Sequence, residues 1–548
     1  MTKKTHSFSS NTSQLLHLVI NALYSNSEIW LRELISNGTD ACDKLRYKML
    51  HEADKYEAPA EYNIHISTNK ENNTITVTDN GIGMTKDELL KNIGTIATSG
   101  TKEFFANLTG DQAKDSKLIG QFGVGFYSAF IVAEKVVIET LSASKDQSQA
   151  LRWESTGKDD FTIENIESNK IGTSITLYLK EESKEFIEEW RLRSIINKYS
   201  DYLDIPIFMQ KVKPATESKP DVDTKDSKDN KDETTQAKTE TEIVADEKPE
   251  WEQINQAKAI WLQNKNEIND EEHKLFYKHI SHDMSDPLTW SLNKVEGKNE
   301  YTTLLYIPSK APYDLFNRDY QHGLKLYINR VFIMDDAKQF LPNYLRFVRG
   351  IVDSKDLPLN ISREILQNSK IVNAIKNSIT KRSLKLLKEI KNHEGEKYKN
   401  FWQQFGAVLK EGLVEDFVNR ETIADLLLFT SNKNKEAVIS LEDYISRMTE
   451  KQEKIYYITA PSYQAGLDSP HMEVFQEKNL EVLILSDNID EWWLNHLTEY
   501  KDKKLQSIAK GDVNLGEIED SKEKEKQEEV AKEFVTVIKQ MKETLKDK

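Results

Sequence analysis

A stretch of charged and polar residues constrains this chain more than any motif, because it divides the chain into two folded parts. Residues 213–242 read KPATESKPDVDTKDSKDNKDETTQAKTETE and, prolines aside, contain only Ala215, Val222 and Ala237 as apolar side chains. Such a segment cannot bury enough surface to offset the entropy lost on ordering it. We therefore expect a charged flexible linker at 213–247, between folded parts at 1–212 and 248–548.

Composition and charge restrict the class of protein further. The 548 residues exceed what one hydrophobic core supports, so several domains are expected. The 75 basic and 91 acidic side chains give a formal net charge of −16, which argues against a protein that coats nucleic acid. Cys42 is the only cysteine, so a disulfide framework is impossible and a reducing compartment fits best.

The sequence shows none of the segments that direct proteins to membranes. No apolar run reaches the length of a membrane span, and the opening residues MTKKTHSFSS lack the apolar block of a signal peptide. A patterned helix is predicted almost at once, at residues 13–24. We therefore expect a cytoplasmic protein with no membrane partner and no nucleic-acid partner.

Alternation and β-branched content predict strands in both folded parts. In the first part the predicted strands are 73–79, 135–141 and 172–179, beside helices at 13–24 and 28–50. In the second part the predicted strands are 301–308, 324–333, 454–460 and 480–487, and a long helix runs through 361–391. Residues 454–487 are typical of a small β-α-β unit. The expected fold class is α+β and multidomain.

The segment ELISNGTDACDKL, residues 33–45, carries a polar stripe that is neither a core face nor a solvent face. At about 100° per residue, four polar side chains fall within roughly 60° of one another on a helix. They are Glu33, Asn37, Asp40 and Lys44. On the same wheel, Leu34, Ala41 and Leu45 should face the core, and Arg32, Asp43 and Arg46 should face solvent. For Glu33 alone, a solvated helix carboxylate is the simpler interpretation.

A second feature, DNGIGM at residues 79–84, directly follows a predicted strand. Asp79 at a strand end can accept hydrogen bonds from an amine, and Gly81 and Gly83 would let backbone approach a flat ligand closely. The alternative is an ordinary β-turn, because Asp-Asn-Gly is common turn chemistry.

A third feature, IGQFGVGFYSAF at residues 119–130, places glycines ahead of an apolar run that should be helical. Backbone N–H groups at such a helix start can bind phosphate, although a glycine-hinged loop without a ligand has the same composition. GTIATSGTK at 94–102 is not a P-loop, since five residues separate its glycines and Thr101 and Lys102 stand in the wrong order.

Together the three features resemble the split ATP-binding fold shared by gyrases, mismatch-repair ATPases, sensor histidine kinases and heat-shock protein 90 chaperones. The similarity to the last family, in its bacterial form, is close and runs from about residue 7 to the C-terminus. The segments that resemble its signature blocks are ELISNGTDACDKLR, DNGIGMT, GTIATSGTKEF, IGQFGVGFYSAF, DPLTWSLNKVEG, IPSKAPYDLF, LYINRVFIMDD and LPLNISREILQ.

This resemblance implies an architecture and a function. The expected parts are an N-terminal split (Bergerat-type) ATP-binding α/β sandwich at 1–212, an α/β middle domain at 248–508, and the start of a truncated C-terminal dimerisation domain at 509–548. The implied protein is an ATP-dependent chaperone that binds partly folded clients and couples slow, Mg²⁺-dependent ATP hydrolysis to closure. Its partners would be client proteins, and a second copy of the chain where the C-terminal domain is complete.

The resemblance also implies roles for individual residues. Glu33 would be the general base that polarises the attacking water, and Asn37 would hold Mg²⁺. Asp79 would bind the adenine amine, with Gly83 and Met84 lining the base. Arg363 would reach the γ-phosphate from the middle domain, with Gln367 positioning its loop. Further pocket residues are Asp40, Lys44, Asn92, Gly123, Val124, Gly125, Phe126 and Thr173.

Some positions and alternatives remain open on the sequence. The family usually has a basic residue where this chain has Thr98, so one phosphate contact is expected to be absent. Trp290 occupies a client-contacting position in the family, but a core or edge tryptophan fits equally well. The rival functions are a DNA-maintenance ATPase of the gyrase or mismatch-repair type, and a scaffold that binds ATP without hydrolysing it.

Overall fold

The computed structural model describes most of the chain. The described residues are 14, 16, 18, 20, 22–24, 26–101, 104, 119, 123–146, 149–158, 160–211, 250–297, 299–317, 320–355, 357, 370–510, 541 and 544. They divide into two compact units. The first comprises Met1–Leu262 with Tyr327–Ile333 and Asp353–Gln367, and the second comprises the remaining residues.

The first unit is built on an eight-stranded sheet of order β5-β4-β3-β6-β2-β1-β7-β8. Neighbouring strands are antiparallel except β1 and β7, which are parallel. The strands are β1 (Ile64–Asn69), β2 (Thr74–Asp79), β3 (Ala133–Leu141), β4 (Ala150–Ser155), β5 (Phe161–Ile166), β6 (Gly172–Leu179), β7 (Ile207–Gln210) and β8 (Trp251–Gln253). The α-helices are α1 (Ile29–Glu52), α2 (Lys86–Asn92), α3 (Ala129–Val132) and α4 (Glu189–Tyr199), and a 3₁₀ turn, Gly125–Ser128, leads into α3.

Helix α1 is buried over most of its circumference in its N-terminal half. Leu34 and Leu45 pack into the core as predicted, beside Trp30 and Ile35. The prediction that Arg32 faces solvent is wrong, because only 1% of that residue is exposed. The reason is that α4 packs against α1, and the Arg32 guanidinium lies 5.9 Å from the centre of the Tyr199 ring.

The second unit contains most of a five-stranded sheet of order β12-β11-β13-β10-β9 and a six-stranded sheet of order β15-β14-β17-β16-β19-β18. Its strands are β9 (Pro287–Val295), β10 (Tyr301–Pro308), β11 (Leu324–Ile328), β12 (Val331–Ala337), β13 (Arg349–Ser354), β14 (Phe429–Ser431), β15 (Asn434–Ile439), β16 (Lys454–Thr459), β17 (Leu483–Leu485), β18 (Glu499–Tyr500) and β19 (Lys503–Ser507). Its helices are α5 (Asp270–Ser281), α6 (Lys370–His393), α7 (Gly395–Lys410), α8 (Gly412–Glu415), α9 (Arg420–Ala424), α10 (Leu441–Ser446), α11 (Tyr463–Leu467), α12 (Glu473–Glu477) and α13 (Asp490–Trp493).

The predicted α+β class is confirmed, and so is the β-α-β unit. Strands β16 and β17 are parallel, and α11 and α12 lie between them in the chain. The hydrophobic core of this unit includes Tyr456, Phe475 and Ile484. The single strand predicted at 324–333 is wrong. Asn329 and Arg330 both have positive φ angles, 47° and 69°, and this turn divides the segment into β11 and β12.

Candidate active site

The polar stripe of α1 lines a cavity of about 590 Å³ in the first unit, a size common for ligand pockets. The opposite wall comes from the ends of β2 and β6 and from the glycine-rich segment before α3. Every described residue predicted for the site lines this cavity: Glu33, Asn37, Asp40, Lys44, Asp79, Gly83, Met84, Asn92, Gly123, Val124, Gly125, Phe126 and Thr173. Arg363 and Gln367 lie outside the described residues.

Glu33 is a buried carboxylate with a cation beside it. Only 5% of the residue is exposed, and its Oε1 accepts hydrogen bonds from Arg32 Nη2 at 2.8 Å and Nε at 3.1 Å. Its Oε2 faces the glycine-rich segment, where a Cβ on Gly125 would lie 2.5 Å away. Gly125 therefore allows the backbone of that segment to come directly against the carboxylate.

Asp79 ends β2 at the opposite wall of the cavity. Its carboxyl accepts hydrogen bonds from the backbone N–H groups of Gly81, at 2.9 Å, and Thr173. Burial raises the pKa of this carboxyl to about 7, and the backbone donors offset only part of that rise. Near neutral pH, Asp79 is thus a buried acceptor that changes its protonation state easily.

The DNGIGM loop after Asp79 lies between α1 and the end of β3. Ile82 N donates to Ala41 O at 3.1 Å, and a Cβ on Gly81 would lie 2.5 Å from the Ala41 carbonyl carbon. Gly83 has a φ of +63°, and a Cβ there would lie 2.0 Å from Leu141 O. These glycines are required by close packing of backbone on backbone, which is a different reason from the predicted approach to a flat ligand.

Asp40 binds two parts of the chain that flank the cavity. Its Oδ1 accepts a hydrogen bond from Ile119 N at 2.7 Å, and its Oδ2 accepts one from the Thr101 hydroxyl at 3.2 Å. Lys44, on the next turn of α1, has a pKa lowered by burial, against which Asp40 and Glu88 act to raise it. A partly dehydrated ammonium group at this wall suits an anionic ligand.

The glycine-rich segment is fixed to the fold by aromatic side chains. Phe126 makes edge-to-face contacts with Phe130 and Trp153, at centroid distances of 6.3 and 5.6 Å. Tyr127 donates its hydroxyl to Ile93 O at 2.7 Å, and burial raises the pKa of that phenol to about 12. Gly123 has a φ of +66°, and a Cβ there would lie 2.3 Å from Thr98 O.

The donor set of the cavity fits a nucleotide with its Mg²⁺. Asn92 Oδ1 is buried and makes no hydrogen bond to any part of the chain that the structure describes, so a ligand donor can satisfy it. Among the described residues, no three His, Cys, Asp or Glu side chains converge on one point. Asn37 offers an amide oxygen, and Mg²⁺ typically takes one or two protein ligands, completing its shell with phosphates and water.

Two residues that shape the site from behind its wall, Arg32 and Thr140, were not predicted from the sequence as part of the site. A helical wheel does not predict the ion pair between Arg32 and Glu33, because adjacent residues on a helix point about 100° apart. Thr140 of β3 was also missed. Its hydroxyl accepts a hydrogen bond from Met84 N, donates one to Gly172 O and shares a third with the Thr173 hydroxyl. In the second unit, the ring of Trp290 of β9 stacks on the ring of the buried His273, with 5.0 Å between the two ring centres.

None of the helices in the described part of the chain is long and apolar enough to cross a membrane. Comparisons with known proteins agree on one family. The family model described as "Histidine kinase-, DNA gyrase B-, and HSP90-like ATPase" matches residues 24–198, and the one described as "Hsp90 protein" matches residues 185–548.

Curated relatives are similar over the whole chain. Proteins named "Chaperone protein HtpG" from Shewanella pealeana and Shewanella loihica are each 52% identical over 549 residues, which is 100% of this chain and 83% of the relative. The protein of the same name from Shewanella baltica is 52% identical over 545 residues, covering 99% of this chain and 83% of the relative.

Proposed function

The chain belongs to the Hsp90 family and is an ATP-dependent molecular chaperone, and we propose that Glu33 is the general base of its ATPase. The family predicted from the sequence motifs is confirmed by the comparisons. They favour the chaperone over the DNA-maintenance ATPase, because the Hsp90 family model matches residues 185–548, beyond the shared ATPase region. The observation that supports our assignment is the placement of Glu33, Asn37 and Asp79 around one cavity.

Glu33 is suited to activating water because it is fixed, buried and next to the phosphate-binding segment. A carboxylate with 5% exposure acts in a weakly screened environment, where charge interactions are stronger than in water. Its ion pair with Arg32 keeps it in one orientation, and its Oε2 faces Gly125. A general base of this kind contributes about 10²–10⁴ to a rate.

Asp79 is the group that we assign to adenine. Its carboxyl sits at a fixed strand end, accepts two backbone N–H groups, and has lone pairs left for an exocyclic amine. Gly83 and Met84 would lie against the base, and Thr173 would close that end of the cavity. The adenine would thus lie at one end of the cavity and the phosphates at the end near Gly125.

Asn37 and Lys44 face the region that we assign to the phosphates. The Asn37 amide oxygen would hold Mg²⁺, and the Lys44 ammonium would offset phosphate charge together with backbone N–H groups of Gly123, Val124, Gly125 and Phe126. Bound Mg²⁺ would neutralise charge that develops on the phosphate oxygens. Asp40 and Asn92 complete the polar wall, with Asp40 fixing the segments at Thr101 and Ile119.

Several parts of the proposal follow from the family resemblance. Arg363 and Gln367 would complete the site from the middle domain, which would make hydrolysis slow and dependent on closure. We propose domains at 1–212 and 248–508, a linker at 213–247, and a dimerisation region at 509–548. Partly folded clients, a homodimer and a cytoplasmic location belong to the same proposal.

A steady-state ATPase assay tests the assignment directly. We expect Glu33→Ala and Arg363→Ala to bind ADP with wild-type affinity by calorimetry, and Glu33→Ala to lose at least 10²-fold in turnover. Turnover of Glu33→Ala at the wild-type rate would show that Glu33 is not the base. If the wild type binds ATP but releases no phosphate, the chain is a scaffold that binds ATP without hydrolysing it.

A further inference from the structure

One buried hydroxyl lies behind the adenine end of the cavity and connects its two sides. Thr140 of β3 is 3% exposed and lies on the same face as Ile138, whose side chain lines the cavity. Its Oγ1 is 3.0 Å from Met84 N, 3.1 Å from Gly172 O and 3.1 Å from Thr173 Oγ1. Met84 belongs to the DNGIGM loop, and the other two residues begin β6.

The direction of each hydrogen bond follows from counting protons. A threonine hydroxyl has one proton and two lone pairs. A carbonyl oxygen only accepts, so the Thr140 proton goes to Gly172 O, while Met84 N–H donates to one Thr140 lone pair. The remaining lone pair accepts the Thr173 hydroxyl proton. The one proton and both lone pairs of the Thr140 hydroxyl are therefore engaged in hydrogen bonds within the protein.

The partners of Thr140 are the groups that surround Asp79. Thr173 pairs with Asp79 across β2 and β6 and with Thr140 across β3 and β6. Gly172, with a φ of +115°, approaches so closely that a Cβ there would lie 2.1 Å from Asp79 O. A single hydroxyl thus joins the loop after Asp79 to the strand opposite it.

We propose that Thr140 is a positioning residue for base recognition, which sets Met84 and Thr173 in their binding geometry before a nucleotide enters. This inference rests on the proposed adenine site. Thr140 lies behind the wall and acts through Met84 and Thr173. Without its hydroxyl, Met84 N–H would lose this acceptor and Gly172 O would lose this donor, and loop conformations in which Met84 N–H reaches water would gain population. Affinity falls by the fraction of molecules that leave the competent conformation.

The test is nucleotide binding and turnover by Thr140→Val, which keeps the side-chain shape and removes the hydroxyl. We expect its Kd for ADP to rise about tenfold, as for the loss of one buried hydrogen bond. The KM for ATP should rise by the same factor with kcat unchanged, because Glu33 lies on a different element. Thr140→Ser restores the hydroxyl and should restore the affinity.

The sheet offers a matched control in Thr78→Val. The Thr78 hydroxyl pairs with Ser174 Oγ at 2.9 Å, on the face of β2 opposite to Asp79. This control should bind ADP with wild-type affinity. Equal effects of Thr78→Val and Thr140→Val on affinity would overturn the inference, because they would reflect a general loss of sheet stability.

The remaining outcomes separate this inference from the proposed function. If the wild type fails to bind ADP, the proposed adenine site is wrong. If the wild type binds and Thr140→Val binds within twofold of it, only the role of Thr140 is wrong. Should Thr140→Val not fold, Thr140→Ala and Thr140→Ser give the same comparison, and equal affinities for that pair would refute the role.

Discussion

Asp79 should give the ligand-free protein a distinctive dependence of stability on pH. Burial raises the pKa of its carboxyl from 3.8 to about 7, whereas an unfolded chain has the ordinary value. Between these two pH values the folded protein keeps a proton that the unfolded chain has released. The stability from that proton is complete below the unfolded pKa and is lost as the pH rises through the folded pKa.

The magnitude follows from the size of this shift. Each pKa unit corresponds to about 1.4 kcal/mol, so a shift of about three units is worth roughly 4 kcal/mol over the whole range. Between pH 5 and pH 8, the Asp79 contribution should fall by about 2–3 kcal/mol. Asp79→Asn keeps the Oδ1 acceptor for Gly81 N–H but has no proton to lose, so it should remove this part of the pH dependence.

The assay is unfolding of the full chain at pH 5, 6, 7 and 8 without nucleotide, following the transition that shifts when ADP is added to the wild type. We expect wild-type stability to fall relative to Asp79→Asn as the pH rises. Asp87→Asn, at an exposed carboxylate on the rim of the same cavity, is the matched control and should parallel the wild type. Parallel curves for the wild type and Asp79→Asn would refute the raised pKa.

Two further predictions concern packing beside Glu33 and in the second unit. Gly125→Ala would place a methyl group 2.5 Å from Glu33 Oε2, so we expect kcat for ATP to fall at least tenfold with a smaller change in ADP affinity, measured by steady-state assay and calorimetry. Equal losses in both would contradict this reasoning. Lys410 is buried and lies 2.7 Å from both Asp487 and Asp490, so Lys410→Met should cost about 3–5 kcal/mol in urea unfolding by leaving the buried Asp490 carboxylate without its cation. Lys399→Met, which breaks an exposed pair with Glu396, should leave the unfolding midpoint unchanged.

The cavity wall formed by α1 could be predicted from the sequence because helix geometry is local. Spacings of four, three and four place Glu33, Asn37, Asp40 and Lys44 on one face wherever the helix packs, and all four line one cavity. Arg32 could not be predicted in the same way. Its burial depends on α4, which is distant in sequence, and the wheel contains no information about that contact.

Strands were predictable where apolar alternation is strong and were missed where the sheet meets solvent. Strand β6 begins and ends where the sequence predicts, because GTSITLYL alternates between buried and half-buried positions. Strand β5, at one edge of the sheet, has no buried residue and gives no such signal. The Asn329–Arg330 turn was missed because the residues on either side of the pair, Ile328 and Val331, are apolar and continue the strand pattern, although Asn adopts positive φ more readily than most residues.

The glycines of the DNGIGM loop show why a ligand site could be predicted from the sequence and its geometry could not. Asp-x-Gly-x-Gly after a strand indicates a ligand site. Its glycines, however, are required by close contact with protein backbone: Gly81 packs against Ala41 of α1, and Gly83 packs against Leu141 of β3. A side chain at either position would push the loop away from the elements that define the cavity. The loop is therefore part of the packing between α1 and the sheet, and Asp79 is presented to a ligand by contacts that form when the unit folds. Since those contacts join residues far apart in sequence, the motif can predict that a ligand binds but not which residues, such as Thr140, fix its binding geometry.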